Sequence, residues 1–248
     1  MRKRHVLITG GAGGIGLALA RRFIASGDRV FLVDMNSKAL ASAQSELPQL
    51  QTEVLDVRDT KALKRFADIH GSDPEGPDTI INNAGIHIAQ PLMDNSYSVD
   101  QRIVDIDKEI QTDFTAVVQN CAIWQPCLAS RGTNTTIVNV ASALSFLPKY
   151  SSAVYCGCKA AVDHFSKVLR MQLKGSNINL VTVYPPLINT AMTNTRTSHV
   201  SCMSAEEFAA VFYRCLNSGK TTIRIGEVWW LYYLHRIAPS IAARFIEP

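Results

Sequence analysis

A tyrosine and a lysine stand four residues apart in the stretch Tyr155-Cys156-Gly157-Cys158-Lys159. If this stretch is helical, the spacing puts the phenol and the ammonium group on one face, about one turn apart. An unperturbed phenol, with a pKa near ~10, is a poor acid or base at neutral pH, but a neighbouring cation stabilises the phenolate and lowers that pKa. The pair is therefore a candidate for proton transfer, although an isolated pair of this kind also recurs by chance.

A second candidate site lies near the start of the chain, in the run Thr9-Gly10-Gly11-Ala12-Gly13-Gly14-Ile15-Gly16. The apolar run Val6-Leu7-Ile8 precedes it, and Ile15, Leu19 and Phe23 then recur at helical spacing, which predicts a strand, a turn and a helix. Glycines leave room for a diphosphate at such a turn, and the following helix N-terminus offers unpaired N–H groups. The run predicts a dinucleotide site, because a merely tight turn would hardly need five glycines in seven positions.

An acidic residue, Asp34, closes the next predicted strand (29–33), eighteen residues after Gly16. In a dinucleotide site, a carboxylate at this position accepts hydrogen bonds from the adenosine ribose hydroxyls and repels a 2′-phosphate. No Arg or Lys stands in the glycine-rich turn or at Met35 and Asn36 to bind such a phosphate. The sequence therefore favours NAD over NADP, unless Asp34 is only a solvated strand-end residue.

The elements that would position these groups alternate between strands and helices along the chain. Further strands are predicted at 52–55, 79–81, 136–142, 178–183 and 221–226, and helices at about 60–69, 99–128, 152–173 and 204–216. This alternation predicts right-handed crossovers and a parallel sheet with the ligand at the carboxyl ends of the strands. The fold class is therefore α/β, a Rossmann-type doubly wound parallel sheet of about seven strands.

We expect one domain over residues 1–248, because no internal repeat or linker divides the chain. The polar segment 193–204 lacks periodicity and predicts a substrate lid at about 190–205. An aromatic tail at about 227–248 contains the apolar run 228–234, which is too short to span a membrane. The tail is expected to cover an interface, with contact to a membrane surface as the alternative.

Composition limits the class of partner. Apolar residues at 47%, charged residues at 19% and a formal net charge of +4 describe an ordinary globular protein without a disordered tract. Lys and Arg are scattered, apart from Arg2-Lys3-Arg4, so no nucleic-acid partner is indicated. We expect reduced thiols, no metal and a cytoplasmic protein, because no secretory signal is present and zinc-site spacings are absent from the six cysteines, Cys121, Cys127, Cys156, Cys158, Cys202 and Cys215.

Together the motifs resemble the short-chain dehydrogenase/reductase family over essentially the whole chain. Four of them occur in the family's order: Thr9-Gly10-x-x-x-Gly14-Ile15-Gly16, Asn82-Asn83-Ala84-Gly85, Ser142 and Tyr155-x-x-x-Lys159. Ser142 lies thirteen residues before Tyr155, as the family pattern has it. The resemblance implies an enzyme that interconverts a secondary alcohol and a ketone or aldehyde by hydride transfer to or from NAD.

The resemblance also implies catalytic roles. Tyr155 is expected to act as the general acid in carbonyl reduction and as the general base in alcohol oxidation. Ser142 is expected to hydrogen-bond the substrate oxygen, on which charge develops during the reaction. Lys159 is expected to lower the pKa of Tyr155 and to bind the hydroxyls of the nicotinamide ribose.

For the cofactor, the resemblance implies that Asp56 accepts a hydrogen bond from the adenine amino group and that Asn83 steadies the central strand. Ile188 and Thr190 are expected to hold the carboxamide and so fix which face of the nicotinamide ring reacts. The full expected set of cofactor contacts is Thr9, Gly10, Gly14, Ile15, Gly16, Asp34, Asp56, Val57, Asn83, Ala84, Gly85, Tyr155, Lys159, Pro185, Ile188 and Thr190.

The chain departs from the family pattern at Asp113. The family usually has an Asn thirteen residues before a proline in this helix, where it holds a water through which protons reach the lysine, and counting back from Pro126 gives Asp113. Asp113 is therefore a fourth candidate catalytic residue. Its anion would offset part of the Lys159 charge and raise the pKa of Tyr155, or it extends the relay as a proton acceptor. A surface position for Asp113 stays open, with Asn120 as the nearest alternative.

A second departure is Pro186, where the family mostly has Gly after Pro. A proline removes an N–H group and stiffens the backbone beside the nicotinamide. With the Val154-Tyr155-Cys156 run and the Arg236-x-x-Pro239 tail, the Pro185-Pro186 pair is similar to a subgroup of DltE-like oxidoreductases.

The substrate pocket is expected to be formed by residues 143–150, by His87 with its neighbours and by residues 187–203. These are mainly apolar with no obvious Arg clamp for a carboxylate, which predicts an uncharged, moderately hydrophobic alcohol or carbonyl. We interpret His87 as a pocket-rim or structural histidine.

The long helices resemble those that build homodimers and homotetramers in the family. Two rival hypotheses are a non-catalytic or weakly active nucleotide-binding scaffold or sensor, and an NADP-dependent carbonyl reductase.

Overall fold

The computed structural model describes residues 3–89, 91–92, 96–190, 192–193, 202–243 and 245. Seven parallel strands form one sheet in the order β3-β2-β1-β4-β5-β6-β7. The strands are β1 (His5–Thr9), β2 (Arg29–Asp34), β3 (Gln51–Val54), β4 (Thr79–Asn82), β5 (Thr135–Val140), β6 (Ile178–Tyr184) and β7 (Thr222–Arg224). The α/β class with a single Rossmann-type sheet is confirmed.

Helices cover both faces of the sheet. They are α1 (Gly14–Ala25), α2 (Ser37–Glu46), α3 (Thr60–Gly71), α4 (Val99–Ile110), α5 (Ala116–Ala129), α6 (Ala153–Gln172), α7 (Ala205–Asn217), α8 (Val228–Ile237) and α9 (Pro239–Ala243). None of these helices, within the described residues, is long and apolar enough to cross a membrane.

Alternate residues along each strand pack on opposite faces, as the two-residue period of a strand requires. Val6 and Ile8 of β1 pack on one face, where Phe208 and Phe212 of α7 belong to the same cluster. Leu7 packs on the other face, in a cluster that contains the buried Trp124 of α5. Both faces of the central strands are therefore buried, which explains why these strands are apolar runs without polar alternation.

The order of the strands reverses at β1, because β2 lies on one side of it and β4 on the other. In an open parallel sheet, a crevice opens beyond the carboxyl ends of the strands at such a point. The glycine-rich turn follows β1 and the Asn83-Ala84-Gly85 motif follows β4, so both motifs lie at this crevice.

The structure differs from the sequence prediction in its helices, and most of one predicted segment lies outside the described residues. The predicted helix over 99–128 is divided by a π turn at Gln111–Thr115 that contains Asp113. The helix α2 was not predicted, since it is rich in Ala and Ser and buries only Leu40 and Ala43. The predicted lid falls largely on residues 191 and 194–201, outside the described part of the chain.

Candidate active site

The turn after β1 is closely packed against the segment that follows β4. Gly10 has φ +60°, and a Cβ atom there would lie 2.7 Å from the Ala84 Cα. A Cβ on Gly16 would lie 2.4 Å from the Gly10 carbonyl oxygen. By contrast, no atom lies within 4 Å of a Cβ built on Gly13. Two glycines thus permit the packing of the turn, while Gly13 borders open space.

Side-chain hydrogen bonds join the two motifs at the crevice. The Thr9 hydroxyl oxygen accepts from the backbone N–H of Asn83 at 3.0 Å and of Ala84 at 3.1 Å. The Asn83 amide nitrogen donates to the carbonyl oxygens of Thr9 and Gly10, each at 3.0 Å. These bonds hold the carboxyl ends of β1 and β4 together. Asn83 therefore lies where it was expected to steady the central strand.

The start of α1 offers N–H groups to a ligand. The residue before the helix, Gly13, provides no side-chain cap, and the first turn contains no acidic residue. Uncapped N–H groups at a helix start bind phosphate groups well. Thr190 lies across the turn, with its methyl carbon 3.2 Å from a Cβ built on Gly14. The residues present therefore fit the diphosphate of a dinucleotide.

Asp34 lies at the end of β2, beside the glycine-rich turn. One carboxylate oxygen accepts from the Ala12 N–H at 3.1 Å, and the other accepts from the Asn36 N–H at 2.9 Å. These two bonds fix the direction of the carboxylate beside the glycine-rich turn.

Asp56 follows β3 and pairs with Arg58. The guanidinium group donates to both carboxylate oxygens, with a shortest distance of 2.6 Å, and the Arg58 hydrogen bond lowers the pKa of Asp56. The predicted contact of Asp56 with an adenine amino group would therefore be made by a carboxylate that already accepts from Arg58. Among the other predicted contacts, Ile188 is buried and bridges to Met203.

Tyr155 and Lys159 lie on one face of α6, as their spacing predicts. The Lys159 Nζ lies 5.4 Å from the centroid of the Tyr155 ring and donates to the Val140 carbonyl oxygen at 3.3 Å. Ser142, two residues beyond the end of β5, begins a short 3₁₀ turn, and its hydroxyl accepts from the Leu144 N–H at 3.1 Å. The three predicted catalytic side chains are thus brought together at the carboxyl edge of β5.

Asp113 joins this cluster from the π turn. It is fully buried, and its Oδ1 lies 3.7 Å from the Lys159 Nζ and accepts from the Ile86 N–H at 3.0 Å. Its Oδ2 is buried without a hydrogen-bond partner among the described residues. The interpretation of Asp113 as a surface residue is therefore wrong. A Cβ on Gly85 would lie 2.6 Å from Asp113 Oδ1, so only glycine leaves room for this carboxylate.

The electrostatics of the cluster follow from burial and from these two opposite charges. Burial raises the pKa of Asp113 to about 6, and Lys159 opposes the rise. Burial also raises the pKa of Tyr155, the Lys159 charge lowers it, and the Asp113 charge raises it further. Lys159 thus lowers the pKa of Tyr155 as expected, but burial outweighs it and the net shift of the Tyr155 pKa is upward.

Asn120, the alternative to Asp113, belongs to another buried network. Its amide nitrogen donates to Asn82 Oδ1, and Asn82 in turn donates to Asn139 Oδ1 at 2.8 Å. Asn139 completes the network by donating to the Ser166 hydroxyl at 2.9 Å. This network joins β4, α5, β5 and α6 below the site. Asn120 therefore has a packing role and does not contact Lys159 in any described hydrogen bond.

Sequence reasoning missed Glu109, whose side chain is also buried. It lies one helical turn before Asp113, and its Oε1 accepts from the Ile88 N–H at 2.9 Å. His87 lies between the two bonded N–H groups. Its ring packs against that of Tyr155 with centroids 4.4 Å apart, and its Nε2 lies 2.8 Å from the Ser152 hydroxyl. Nothing in the sequence separates Glu109 from Asp100, Asp105 and Asp107 on the same helix, so its burial is visible only in the structure.

The C-terminal tail packs on the loop that carries Ser142. Phe146 contacts the ring of Tyr232 at 5.3 Å between centroids, and Leu147 is buried in a cluster with Leu231 and Ala242. Arg224 lies over the Tyr232 ring, 3.6 Å from its centroid. Part of the predicted pocket wall at 143–150 therefore packs against α8.

A family model described as short chain dehydrogenase matches residues 4–201 of this chain. This span includes the glycine-rich turn, Ser142, Tyr155 and Lys159. The chain belongs to the short-chain dehydrogenase/reductase family. Its members are oxidoreductases, and the recognition made from the motifs is confirmed.

Relatives within the short-chain dehydrogenase/reductase family include DltE of Bacillus subtilis (strain 168), described as an uncharacterized oxidoreductase. It is 32% identical over 227 residues, which cover 90% of this chain and 88% of that protein. L-xylulose reductase of Homo sapiens is 31% identical over 76% of this chain and 73% of that enzyme. Meso-2,3-butanediol dehydrogenase of Serratia marcescens is 30% identical with the same shares covered.

Two solved structures of short-chain dehydrogenases share the fold. One, from Burkholderia cenocepacia J2315 in complex with NADP, has a TM-score of 0.84 and 20% identity and covers 100% of this chain and 99% of that chain. The other, from Burkholderia phymatum in complex with NAD, has a TM-score of 0.86 and 18% identity and covers 96% of this chain and 95% of that chain.

Proposed function

We propose that this short-chain dehydrogenase/reductase interconverts a secondary alcohol and a ketone or aldehyde with NAD as cofactor. The observation that carries the proposal is the cluster of Ser142, Tyr155 and Lys159 at the carboxyl edge of β5, facing the crevice beside the glycine-rich turn. A hydroxyl, a phenol and a buried ammonium group at one crevice are the groups that proton transfer to an alcohol oxygen requires.

In this proposal Tyr155 donates its proton to the carbonyl oxygen during reduction and accepts the alcohol proton during oxidation. The Ser142 hydroxyl donates a hydrogen bond to the same oxygen. Lys159, anchored by the Val140 carbonyl, supplies positive charge beside the phenol and binds the nicotinamide ribose. When bound, the nicotinamide cofactor would supply the hydride acceptor for alcohol oxidation and the hydride donor for carbonyl reduction.

The preference for NAD rests on Asp34. Its carboxylate is fixed by two backbone N–H groups beside the glycine-rich turn, and at that place its charge would repel a 2′-phosphate. The two structural neighbours are complexes with NADP and with NAD, so the fold accommodates both cofactors. The acidic side chain at the end of β2 favours NAD.

Asp113 is proposed to take part in proton handling through Lys159. Its carboxyl has a pKa of about 6, so it exchanges protons within the neutral range, and its Oδ2 is free to accept one more hydrogen bond. The anion stabilises the Lys159 ammonium group and weakens its effect on the Tyr155 phenol. Asp113 therefore adjusts the site without contacting the substrate.

For the substrate, we propose an uncharged, moderately hydrophobic alcohol or carbonyl compound. The names of two relatives, an L-xylulose reductase and a meso-2,3-butanediol dehydrogenase, support alcohol and carbonyl interconversion. Among the expected pocket residues that the structure describes, none is an arginine that would bind a carboxylate, and the one arginine of the expected pocket segments, Arg196, lies outside the described part of the chain.

The test is NADH formation from NAD with a panel of secondary alcohols, with Tyr155→Phe as the matched variant because it removes only the hydroxyl. We expect turnover of at least one alcohol that falls by more than about a hundredfold in Tyr155→Phe. Tight NAD binding without Tyr155-dependent turnover would support the sensor hypothesis. Turnover that strongly prefers NADP would show that Asp34 does not select the cofactor.

We also propose a homodimer or homotetramer. The helices α4 and α6 carry exposed apolar side chains, including Ile103 and Val104 on α4 and Val168 and Met171 on α6. Apolar side chains repeated on two neighbouring helices favour a symmetric contact between copies. Light scattering of the protein and of Met171→Glu tests this, since a charge at the interface would shift the protein to a smaller species.

A further inference from the structure

The segment that follows β4 is held by two carboxylates of one helical face. Asp113 Oδ1 accepts from the Ile86 N–H and Glu109 Oε1 accepts from the Ile88 N–H, at 3.0 and 2.9 Å. Glu109 is 2% exposed and Asp113 is fully buried. Burial of two acidic side chains at one place is costly, which indicates that the contacts they make have a structural or functional role.

The spacing of these bonds follows from backbone geometry. Helical residues four apart are displaced by about 6 Å along the axis, whereas N–H groups two residues apart in an extended chain repeat every ~6.6 Å. Two carboxylates one helical turn apart can therefore accept from two alternate N–H groups, here those of Ile86 and Ile88, as the edge of a neighbouring strand would. Residues 83–89 belong to no helix or strand, so these side chains provide two of the bonds that a sheet would otherwise supply.

His87 is the residue between the two anchored N–H groups. Its ring packs against that of Tyr155 in a tilted arrangement, at a centroid distance of 4.4 Å and an interplanar angle of 34°. Its Nε2 lies 2.8 Å from the hydroxyl of Ser152, a buried residue directly before α6. The imidazole thus contacts both the phenol and the start of the helix that carries it. Such a contact limits rotation of the phenol and keeps water from one of its faces.

We infer that Glu109 and His87 are positioning residues for Tyr155. Glu109 fixes the backbone at Ile88, this backbone holds the His87 ring, and the ring holds the phenol beside Ser142 and Lys159. Asp113 fixes the other end of the same segment while it pairs with Lys159. The inference rests on the proposed function only for its effect on turnover, because the contact itself can be measured without any substrate.

The contact is tested by NMR of the histidine ring protons. The chain contains six histidines, and the His87 resonance is identified by its loss in His87→Gln. In the wild-type protein, the Tyr155 ring displaces this resonance from its ordinary position. We expect the displacement to disappear in Glu109→Ala and to persist in Glu109→Gln, whose amide oxygen still accepts from Ile88. Asp107→Ala, an exposed carboxylate on the same helix, is the control. A displacement that persists in Glu109→Ala overturns the inference.

Turnover provides the second readout, in a double-mutant cycle. We expect His87→Ala and Glu109→Ala each to lower kcat about ten- to hundredfold with unchanged KM for NAD, because the phenol loses its orientation. Glu109 acts through His87, so the double variant should be no slower than His87→Ala alone. Additive losses would overturn the inference. If the wild-type enzyme shows no Tyr155-dependent turnover, the proposed function has failed, and the NMR result still decides the role of Glu109 and His87.

Discussion

The carboxylate of Asp113 lies 3.7 Å from the ammonium group of Lys159, and both groups are buried. An ion pair of this kind holds the lysine charged beside Tyr155, while the negative partner cancels part of the field that the phenol experiences. Burial by itself lowers the pKa of Lys159, but the charge of Asp113 and that of Tyr155 outweigh burial and raise it. The site therefore has a second titrating group close to the one that performs the proton transfer.

The first prediction concerns stability. The pKa of Asp113 is raised from 3.8 to about 6 on folding, so the folded protein binds this proton more tightly than the unfolded chain. The ionised Asp113 carboxylate destabilises the folded protein. This effect is absent at pH values below the pKa of Asp113 in the unfolded chain and is complete at pH values above its pKa in the folded protein. The unfolding free energy of Asp113→Asn minus that of the wild type is therefore expected to rise by about 2 to 3 kcal/mol when the pH is raised from 4 to 7.

Urea unfolding at both pH values measures this difference, and Asp107→Asn, which replaces an exposed carboxylate, is the control. A difference between wild type and Asp113→Asn that does not change with pH would contradict an elevated pKa at Asp113.

The second prediction concerns the pH dependence of carbonyl reduction, in which the rate falls as Tyr155 loses its proton. The Asp113 charge raises the pKa of Tyr155, so Asp113→Asn should lower it. We expect the alkaline limb of the kcat profile to move to lower pH. Asn120→Ala, which disturbs the separate asparagine network, should lower stability without moving this limb. An unmoved limb in Asp113→Asn would show that its charge does not reach the phenol.

Much of the fold followed from the sequence because its signals are local. Apolar runs predicted the strands, and the glycine-rich turn required a tight connection to a helix that the structure contains at Gly14–Ala25. The spacing of Tyr155 and Lys159 placed them on one helix face because the period of a helix is fixed.

The rest depends on contacts between distant segments. In α4, Asp100, Asp105, Asp107 and Glu109 all read as solvated charges, and only the packing of segment 86–88 distinguishes the buried Glu109. The π turn at Gln111–Thr115 has no sequence signal, since one extra residue in a helical turn leaves the apolar pattern readable as a continuous helix. The tail likewise reveals its contact with Phe146 only in three dimensions.

The third prediction tests cofactor choice. We expect Asp34→Ala to lower kcat/KM for NAD by about ten- to hundredfold and to raise that for NADP, because the ribose loses an acceptor and the 2′-phosphate loses a repelling charge. The control is Glu53→Ala, an exposed acidic residue on the neighbouring strand β3. If the ratio of the two kcat/KM values is the same in the wild type and in Asp34→Ala, then Asp34 has no part in selection.

The fourth prediction separates folding from binding within the glycine-rich turn. A Cβ on Gly16 would lie 2.4 Å from the Gly10 carbonyl oxygen, so Gly16→Ala should destabilise the fold by about 2 kcal/mol or more. A Cβ on Gly13 meets no atom within 4 Å, so Gly13→Ala should keep the unfolding free energy unchanged and weaken NAD binding by intruding on the diphosphate space. Denaturation and NAD titration of both variants check this, and equal destabilisation of the two would contradict it.

The fifth prediction links the C-terminal tail to catalysis. Leu231 of α8 is buried against Leu147, five residues after Ser142, whereas the neighbouring Trp229 is 60% exposed. Leu231→Ala leaves a cavity at this contact and should cost about 2 kcal/mol of unfolding free energy. Because the loop that begins at Ser142 then loses its support, we expect kcat to fall several-fold at unchanged KM for NAD, while Trp229→Ala alters neither quantity. A loss of stability in Leu231→Ala without any loss of kcat would show that the tail stabilises the fold but does not hold the serine loop in its working geometry.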